Sequence, residues 1–196
     1  MSSGSRRFFR DLTQVSATPL EYRIISPADL FCNPLPQSRY NYGVRFRIRQ
    51  FEKADFDTLW RIDQECFDPQ LAYSRLEMAF YMRRPESFTL VAEAEAGILG
   101  FIVAEARRKS GHIITIDVVA EARRLGVGSA LLRAAEERLR GAGAVAVALE
   151  TPVNNEAAIR FYKREGYFVE KTVAGYYSNH LDALVMAKEL ARLPVG

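Results

Sequence analysis

Beyond residue 43 the chain alternates between the two-residue period typical of strands and the longer period of amphipathic helices. The segment VRFRIRQF at 44–51 is one clear case, because apolar and basic residues alternate as they do on a half-buried strand. A hairpin is predicted around Glu95, Ala96 and Gly97, since apolar runs stand on both sides of this short turn. The predicted strands cover 44–51, 88–93, 98–106, 113–119, 145–151, 167–173 and 181–188.

Two amphipathic helices are predicted between the first and second strands. Asp55 is expected to cap the first, and Ser74 to cap the second through a Ser-x-x-Glu box with Glu77. The second helix has to end before Pro85, since a proline disfavours helical backbone in the residue before it. The expected core positions are Phe56, Leu59, Trp60 and Ile62 on the first helix and Leu76, Ala79, Phe80 and Met82 on the second.

Two further helices are predicted in the second half of the chain. The first follows Gly126-Val127-Gly128 and is expected to end at Gly141 or Gly143, and the second covers 155–165 with Gly166 as its cap. The helix after the glycines is expected to bury Val127, Leu131, Ala135 and Leu139 and to expose Arg133, Glu136, Glu137 and Arg140.

The first 43 residues follow no sustained apolar period and carry the prolines Pro19, Pro27, Pro34 and Pro36. We expect 1–43 to be a poorly ordered or loosely docked extension, and 44–196 to be one folded domain. A chain of 196 residues is of single-domain size. The mixture of strands and helices predicts the α+β class, with a central strand–helix–strand unit around the glycines.

Composition narrows the range of partners. Hydrophobic residues make up 48% of the chain and charged residues 26%, which is ordinary for a soluble globular protein. A net charge of +3 gives no reason to expect nucleic acid, and no apolar run approaches the length of a membrane span. Cys32 and Cys66 have no CxxC spacing, so we expect two isolated thiols in a reducing cytoplasm and no metal site.

The strongest sign of chemistry is the segment Arg123-Arg124-Leu125-Gly126-Val127-Gly128, between a predicted strand and a predicted helix. Backbone N–H groups at a helix start, together with the helix dipole, attract an anion such as phosphate, and glycine lets the backbone approach it. The chain has no Gly-Lys pair for a Walker loop, and Leu131 replaces the third glycine of the dinucleotide fingerprint. A helix that merely begins with two glycines is the simpler alternative.

The string RRLGVG resembles the [RQ]-x-x-G-x-[GA] signature of the GNAT acyltransferase superfamily. GHIITIDVV resembles that family's fourth strand, LETPVNNEAAIRFYKREGY its fifth strand and next helix, and GYYSNHLDALVMAKEL its closing segment. The resemblance is closest to the branch that acetylates protein N-termini, which includes the ribosomal-protein-alanine N-acetyltransferases. It implies a mixed, mostly antiparallel sheet whose fourth and fifth strands splay apart around acetyl-coenzyme A.

The resemblance implies direct attack of an amine on the thioester. This reaction needs a base for the amine, stabilisation of the oxyanion and a proton for the departing thiolate. Glu150, at the end of an apolar strand, is our candidate base, and Tyr162 is our candidate acid, because both match positions of the family. An exposed glutamate at a strand end and an ordinary core tyrosine are the alternatives.

The resemblance also implies a binding site for acetyl-coenzyme A, with the glycine turn at its pyrophosphate and strand backbone at its acyl carbonyl and pantetheine. Asn155 matches the family's coenzyme-contacting asparagine, and it is equally suited to cap the last helix. Asp117 departs from the small apolar residue of the ribosomal enzymes. The residues expected to bind the cofactor are Ile116, Asp117, Val118, Arg123, Arg124, Leu125, Gly126, Val127, Gly128, Ser129, Asn155 and Tyr162.

Four aromatic or imidazole residues are expected to bind the acceptor: His112, Phe67, Tyr176 and Tyr177. The tyrosines match a pair that lines the peptide site in the resembling branch, and His112 begins the fourth strand. Phe67 belongs to a loop that is expected to border the acceptor pocket. The expected partner is a protein N-terminus or peptide, and the expected assembly is a monomer or homodimer.

Two other classes of function fit the same sequence. One is an acetyltransferase that acts on a small amine, such as a polyamine, an amino acid or a drug, because a fold does not determine the substrate. The other is a non-catalytic module that binds acyl-coenzyme A. The presence of both Glu150 and Tyr162 favours an enzyme over such a module.

Overall fold

The computed structural model describes residues 45–177 and 180–190. The extension predicted for 1–43 lies outside the described residues. The strands are β1 (Phe46–Gln50), β2 (Ser87–Ala94), β3 (Gly97–Arg107), β4 (Ser110–Val118), β5 (Ala146–Pro152), β6 (Phe168–Val173) and β7 (Ala183–Glu189). The α-helices are α1 (Phe56–Cys66), α2 (Arg75–Met82), α3 (Val127–Gly141) and α4 (Glu156–Arg164). Every predicted strand and helix is therefore confirmed, with small shifts at the ends.

The strands form one sheet in the order β1-β2-β3-β4-β5-β7-β6. Neighbours are antiparallel except for β4 and β5, which run parallel. The β4–β5 pairing joins only Ser110, Gly111 and His112 to the start of β5, although both strands continue well beyond these pairs. The predicted mixed sheet with splayed central strands is thus confirmed, and the gap lies at the carboxyl ends of β4 and β5.

Apolar clusters cover both faces of the sheet. Ile102 packs in the cluster under α3, whereas its neighbour Phe101 packs in the cluster under α1 and α2, as the alternation of side chains along β3 requires. The stripe of α3 predicted to be buried is confirmed, with Leu131 and Leu139 fully buried. Among the helices of the described residues, none combines the length and the apolar character needed to cross a membrane.

Helix α2 buries a different stripe from the predicted one. Leu76 is 84% exposed and Phe80 is 51% exposed, whereas Met78 is buried and Met82 packs beside it. The Ser-x-x-Glu capping box at its start is confirmed. The prediction for Leu76 and Phe80 was wrong because a helix of eight residues contacts the sheet along only one narrow stripe. The apolar residues of α2 form two stripes, and the sequence alone does not show which of them is buried.

Asp55 occupies the position before α1, but its side chain does not cap that helix as predicted. Its carboxylate accepts hydrogen bonds from Arg49 at 2.7 and 2.9 Å and from the backbone N–H of Glu52 at 2.8 Å. A short 3-10 turn over Lys53–Asp55 precedes α1, so the capping interaction is displaced to that turn. Asp55 consequently joins the start of the helix to β1.

Glu136 on α3 is buried, although the helical pattern predicted that it would be exposed. Its carboxylate accepts hydrogen bonds from Lys188 Nζ at 2.7 and 2.9 Å and from the Tyr167 hydroxyl at 3.1 Å. These partners come from β7 and from the residue before β6. The burial of Glu136 is therefore compensated by a cation and a hydroxyl that the local pattern of α3 does not reveal.

Candidate active site

A cavity of about 1020 Å³, called here the larger cavity, opens where β4 and β5 separate. A volume of this order is typical of a site for a small molecule or cofactor. Of the residues expected to bind the cofactor, the cavity is lined by Ile116, Asp117, Val118, Arg123, Arg124, Gly126, Gly128, Ser129, Asn155 and Tyr162. The splayed strands thus bring together most of the residues that the sequence assigned to this role.

Leu125 and Val127 do not line the larger cavity. The Val127 side chain is buried in the core under α3, as its place in the apolar stripe predicts, so only its backbone can contact a ligand at the turn. The first residue of an amphipathic helix can point either way, and here the apolar side chain turns inwards. Leu125 and Val127 can therefore contribute only backbone N–H groups to an anion, which are the groups that a helix start provides.

The glycine turn is held in a specific backbone conformation. Gly126 stands at the N-cap of α3 with φ 84°, a left-handed conformation that costs other residues about 1–2 kcal/mol. Arg124 also has a positive φ, of 63°. The Arg123 guanidinium donates to the Val118 carbonyl at 3.0 Å and so fastens the turn to the end of β4. The amides of the first turn of α3 are thereby held at the larger cavity.

The two glycines of the turn differ in how strongly the backbone requires them. At Gly126 the positive φ itself favours glycine. At Gly128 a Cβ atom would lie 3.5 Å from Phe161, which is an ordinary contact, so the protein leaves room for alanine there. The backbone therefore requires glycine only at Gly126, and the expectation that glycine lets a ligand approach stays a prediction at both positions.

Three arginines that were not predicted from the sequence also line the larger cavity, namely Arg133, Arg160 and Arg164. Arg160 and Arg164 are four residues apart and share one face of α4. The spacing of four predicts this shared face, but their position beside the glycine turn is visible only in the folded molecule. These three arginines are called here the cationic wall of the larger cavity. Glu165 lines the cavity beside them, accepts a hydrogen bond from the Ser129 hydroxyl at 2.6 Å and lies 3.5 Å from Arg133.

Glu150 and His112 meet in the gap between the splayed strands. His112 Nε2 lies 2.8 Å from Glu150 Oε2, and the two side chains are only 16% and 15% exposed. An ionised carboxylate can only accept a hydrogen bond, so the imidazole donates through Nε2 when Glu150 is ionised. The pairing makes Glu150 a largely buried carboxylate held by a ring nitrogen, which disagrees with the alternative of a water-exposed glutamate at a strand end.

A second, smaller cavity of about 40 Å³ lies beside the larger one. Ile114, Glu150 and Tyr177 line both cavities, so the Glu150 carboxylate stands at their boundary. The other residues that line the smaller cavity are Tyr73, Tyr81, Arg84, Glu105, Arg107, His112 and Tyr176. The molecule therefore offers two approaches to one carboxylate.

The residues expected to bind the acceptor are divided between these cavities. Phe67 lines the larger cavity, His112 and Tyr176 line the smaller one, and Tyr177 lines both. The rings of Tyr176 and Tyr177 pack edge to face with centroids 4.9 Å apart. Burial, followed by the charge of Glu150, raises the pKa of Tyr176 well above its usual range. Tyr177 thus shares the boundary of the two cavities with Glu150, and His112 contacts Glu150 directly, whereas Phe67 is placed only in the larger cavity.

Tyr162 on α4 is buried and lines the larger cavity. Burial is the main cause that raises the pKa of Tyr162 well above the usual value, with Asp117 and Tyr177 contributing. The hydroxyl therefore keeps its proton at neutral pH. Its ring also packs on Phe161 and Tyr167, as the alternative of a core tyrosine requires.

Asn155 caps α4, because its side-chain oxygen accepts from the Ala158 N–H at 3.1 Å. It lines the larger cavity as well, so capping and ligand contact are compatible. Asp117 is buried and accepts from the Thr115 hydroxyl at 3.1 Å. Burial, together with the charge of Asp117, raises the pKa of the nearby Cys66 thiol. Cys66 is therefore a poor nucleophile at neutral pH.

Comparison with known proteins gives consistent matches. The model of the acetyltransferase (GNAT) family matches residues 54–167. An uncharacterised N-acetyltransferase of Methanocaldococcus jannaschii is 36% identical over 143 residues, which cover 72% of this chain and 90% of that protein. An N-alpha-acetyltransferase of Sulfurisphaera tokodaii is 29% identical over 161 residues, which cover 76% and 95%. The crystal structure of Ard1 from Thermoplasma volcanium has a TM-score of 0.69 at 31% identity, and the match covers 75% of this chain and 99% of that one.

Proposed function

The chain belongs to the GNAT acetyltransferase family and is an acetyl-coenzyme A-dependent N-acetyltransferase, and on this premise we propose that it acetylates the N-terminal α-amine of a protein. The observation that carries the proposal is the position of Glu150 at the boundary of two cavities, one of which is lined by tyrosines. The name of the relative from Sulfurisphaera tokodaii, an N-alpha-acetyltransferase, supports the same acceptor class.

Acetyl-coenzyme A occupies the larger cavity in this proposal. Its pyrophosphate lies on the amides at the start of α3, beyond Gly126, where the helix dipole favours negative charge. Arg133, Arg160 and Arg164 line the same cavity and supply positive charge for its phosphates. The pantetheine arm follows the gap between β4 and β5, and the thioester reaches the region between Glu150 and Tyr162.

The acceptor amine enters from the smaller cavity and loses its proton to Glu150. An N-terminal α-amine has a pKa of about 8, whereas a lysine side chain has a pKa of about 10.4, so the α-amine is the easier of the two to deprotonate. His112 is a positioning residue here, because its ring nitrogen fixes one oxygen of the carboxylate at 2.8 Å.

The neutral amine then attacks the thioester carbonyl and forms the C–N bond of a tetrahedral intermediate. Backbone groups of β4 around Ile116 and Val118, at the gap, stabilise the oxyanion. As the intermediate collapses, the C–S bond breaks and the thiolate takes the proton of the Tyr162 hydroxyl. The surplus proton of the new amide nitrogen passes through solvent to the resulting tyrosinate, which restores Tyr162. The raised pKa of Cys66 supports this direct transfer over a route through an acetylated cysteine.

We expect Tyr162→Phe to lower kcat about tenfold, which is less than the effect of about 100-fold or more that is typical of general acid catalysis, because a thiolate can leave even without its proton donor. The substitution removes one oxygen atom and keeps the ring that packs on Phe161 and Tyr167, so the fold is retained. Steady-state thiol release and thermal unfolding measure both effects. Full activity in this variant would leave Tyr162 as a packing residue only.

An acceptor screen tests the proposed function. Thiol release is measured with acetyl-coenzyme A and three sets of acceptors: peptides that begin with Ala or Ser, the same peptides with a blocked N-terminus and an internal lysine, and free polyamines or amino acids. We expect turnover only with the unblocked peptides. Turnover confined to the free amines would indicate a small-molecule acetyltransferase, and binding of acetyl-coenzyme A without turnover would indicate the non-catalytic module.

A further inference from the structure

A second set of charged residues lines the smaller cavity, in addition to Glu150 and His112. Glu105 on β3 is only 2% exposed, and one of its oxygens lies 3.1 Å from Arg84 and 2.9 Å from Arg107. Its other oxygen accepts from Arg107 at 3.0 Å. We call these three residues, Glu105, Arg84 and Arg107, the arginine cluster. The mechanism of acetyl transfer does not use any of them.

The two ends of the smaller cavity carry opposite charges. The arginine cluster holds two guanidinium groups against one carboxylate, which leaves a formal charge of +1. At the other end, Glu150 contributes a charge of −1 when His112 is neutral. Uncharged tyrosines supply much of the remaining lining. A ligand that is positive at its tip and negative a short distance further along matches this arrangement.

The distance between the two ends follows from the register of the sheet. Glu105 on β3 is paired directly with His112 on β4, and His112 contacts Glu150 on β5. Neighbouring strands lie about 4.8 Å apart, so about 10 Å separates the arginine cluster from the Glu150 carboxylate. An extended peptide advances about 3.3 Å per residue. A peptide whose amine meets Glu150 therefore brings its second or third side chain to the cluster.

We propose that the arginine cluster selects acceptors with an acidic side chain at the second or third residue, an inference that rests on the proposed acetylation of protein N-termini. The Arg84 and Arg107 side chains are 28% and 42% exposed, so a bound peptide can reach them. A guanidinium carries five N–H donors, and the contact of Arg84 with Glu105 uses only part of them. A basic side chain at the same positions meets like charge and is disfavoured.

The test uses the full-length protein, acetyl-coenzyme A and matched peptides that begin with Ser and carry Glu, Gln or Lys at the second or the third residue. We expect kcat/KM to be about tenfold higher for Glu than for Gln at one of these positions, as a charge-assisted hydrogen bond predicts. Lys is expected to be the poorest of the three. The preference is expected to shrink as the salt concentration rises, because the arginines are partly exposed.

Variants locate the source of the preference. Arg84→Gln and Arg107→Gln are each expected to lower the Glu-to-Gln ratio to about threefold or less, whereas Arg84→Lys retains part of it because the charge remains. Arg83→Gln is the matched control, since it removes the same charge from an exposed neighbour that does not line the cavity. Thermal unfolding shows whether each variant folds. If Arg84→Gln does not fold, the Glu-to-Gln ratio measured with Arg107→Gln decides whether the arginine cluster is the source of the preference.

Two results would overturn this inference and leave the proposed function intact: an absence of preference in the wild-type enzyme, or a preference that both glutamine variants leave unchanged. Failure of every peptide as an acceptor, with turnover of free amines, would overturn the proposed function and this inference together. The Glu-to-Gln ratio therefore tests this inference, and the comparison of peptides with free amines tests the proposed function.

Discussion

Glu150→Gln is expected to lower kcat by about 100-fold or more, in the range typical of the loss of a general base, while the Kd for acetyl-coenzyme A changes by less than about twofold. Glutamine has nearly the same shape as glutamate and keeps a hydrogen-bonding oxygen beside His112, which lies 2.8 Å from the native carboxylate. It cannot accept the proton of an ammonium group. The variant thus removes the chemistry of residue 150 and preserves its packing.

The dependence of this effect on pH is part of the prediction. An α-amine loses its own proton above a pKa of about 8, so the deficit of Glu150→Gln is expected to narrow between about pH 6 and pH 9. Thiol release across this range and calorimetric titration with acetyl-coenzyme A measure the two quantities. Glu170→Gln, a change at an exposed glutamate of β6, is the matched control. Equal turnover of Glu150→Gln and the wild type at every pH would exclude Glu150 as the base.

Gly126→Ala is expected to weaken the binding of acetyl-coenzyme A by about tenfold or more, as the loss of a hydrogen bond to a charged group predicts. Gly126 has φ 84° and lines the larger cavity, so an alanine pulls this backbone towards another conformation and turns the amides of α3 away from the pyrophosphate. The left-handed conformation also costs an alanine about 1–2 kcal/mol of stability.

Gly143→Ala is the matched control for Gly126→Ala. Gly143 has φ 90°, stands just beyond the other end of α3 and has no atom within 4 Å of the position that a Cβ would take. Its substitution is expected to carry a similar loss of stability and no loss of affinity. Calorimetric titration and thermal unfolding of both variants separate the two effects. Equal affinities for acetyl-coenzyme A in Gly126→Ala and Gly143→Ala would remove the turn from the binding site.

The elements of this fold follow closely from local patterns, and the errors occur where distant residues intervene. The buried stripe of α3 was predicted correctly because its apolar residues repeat with the period of the helix. Glu136 on the same helix was predicted to be exposed, since no local signal announces Lys188, which lies 52 residues further along the chain. Likewise, the exposure of Leu76 on α2 depends on how a short helix meets the sheet.

The candidate site divides in the same way. The glycine turn could be recognised from the sequence, because a strand, Gly126 and the start of a helix follow one another directly. The cationic wall formed by Arg133, Arg160 and Arg164 was missed, since it is assembled from two helices that meet only in the folded molecule. The resemblance to known acetyltransferases indicated Glu150, but it did not reveal the contact with His112.

The sequence by itself determined the order of strands and helices along the chain and the glycine turn before α3, because these features depend on neighbours along the chain. Only the tertiary structure decided which charged groups meet. Glu150 reaches His112, and Glu105 reaches Arg84, across strands and loops that are far apart in sequence. Such contacts arise when the sheet brings separate strands to a spacing of about 4.8 Å, a distance that no local pattern encodes.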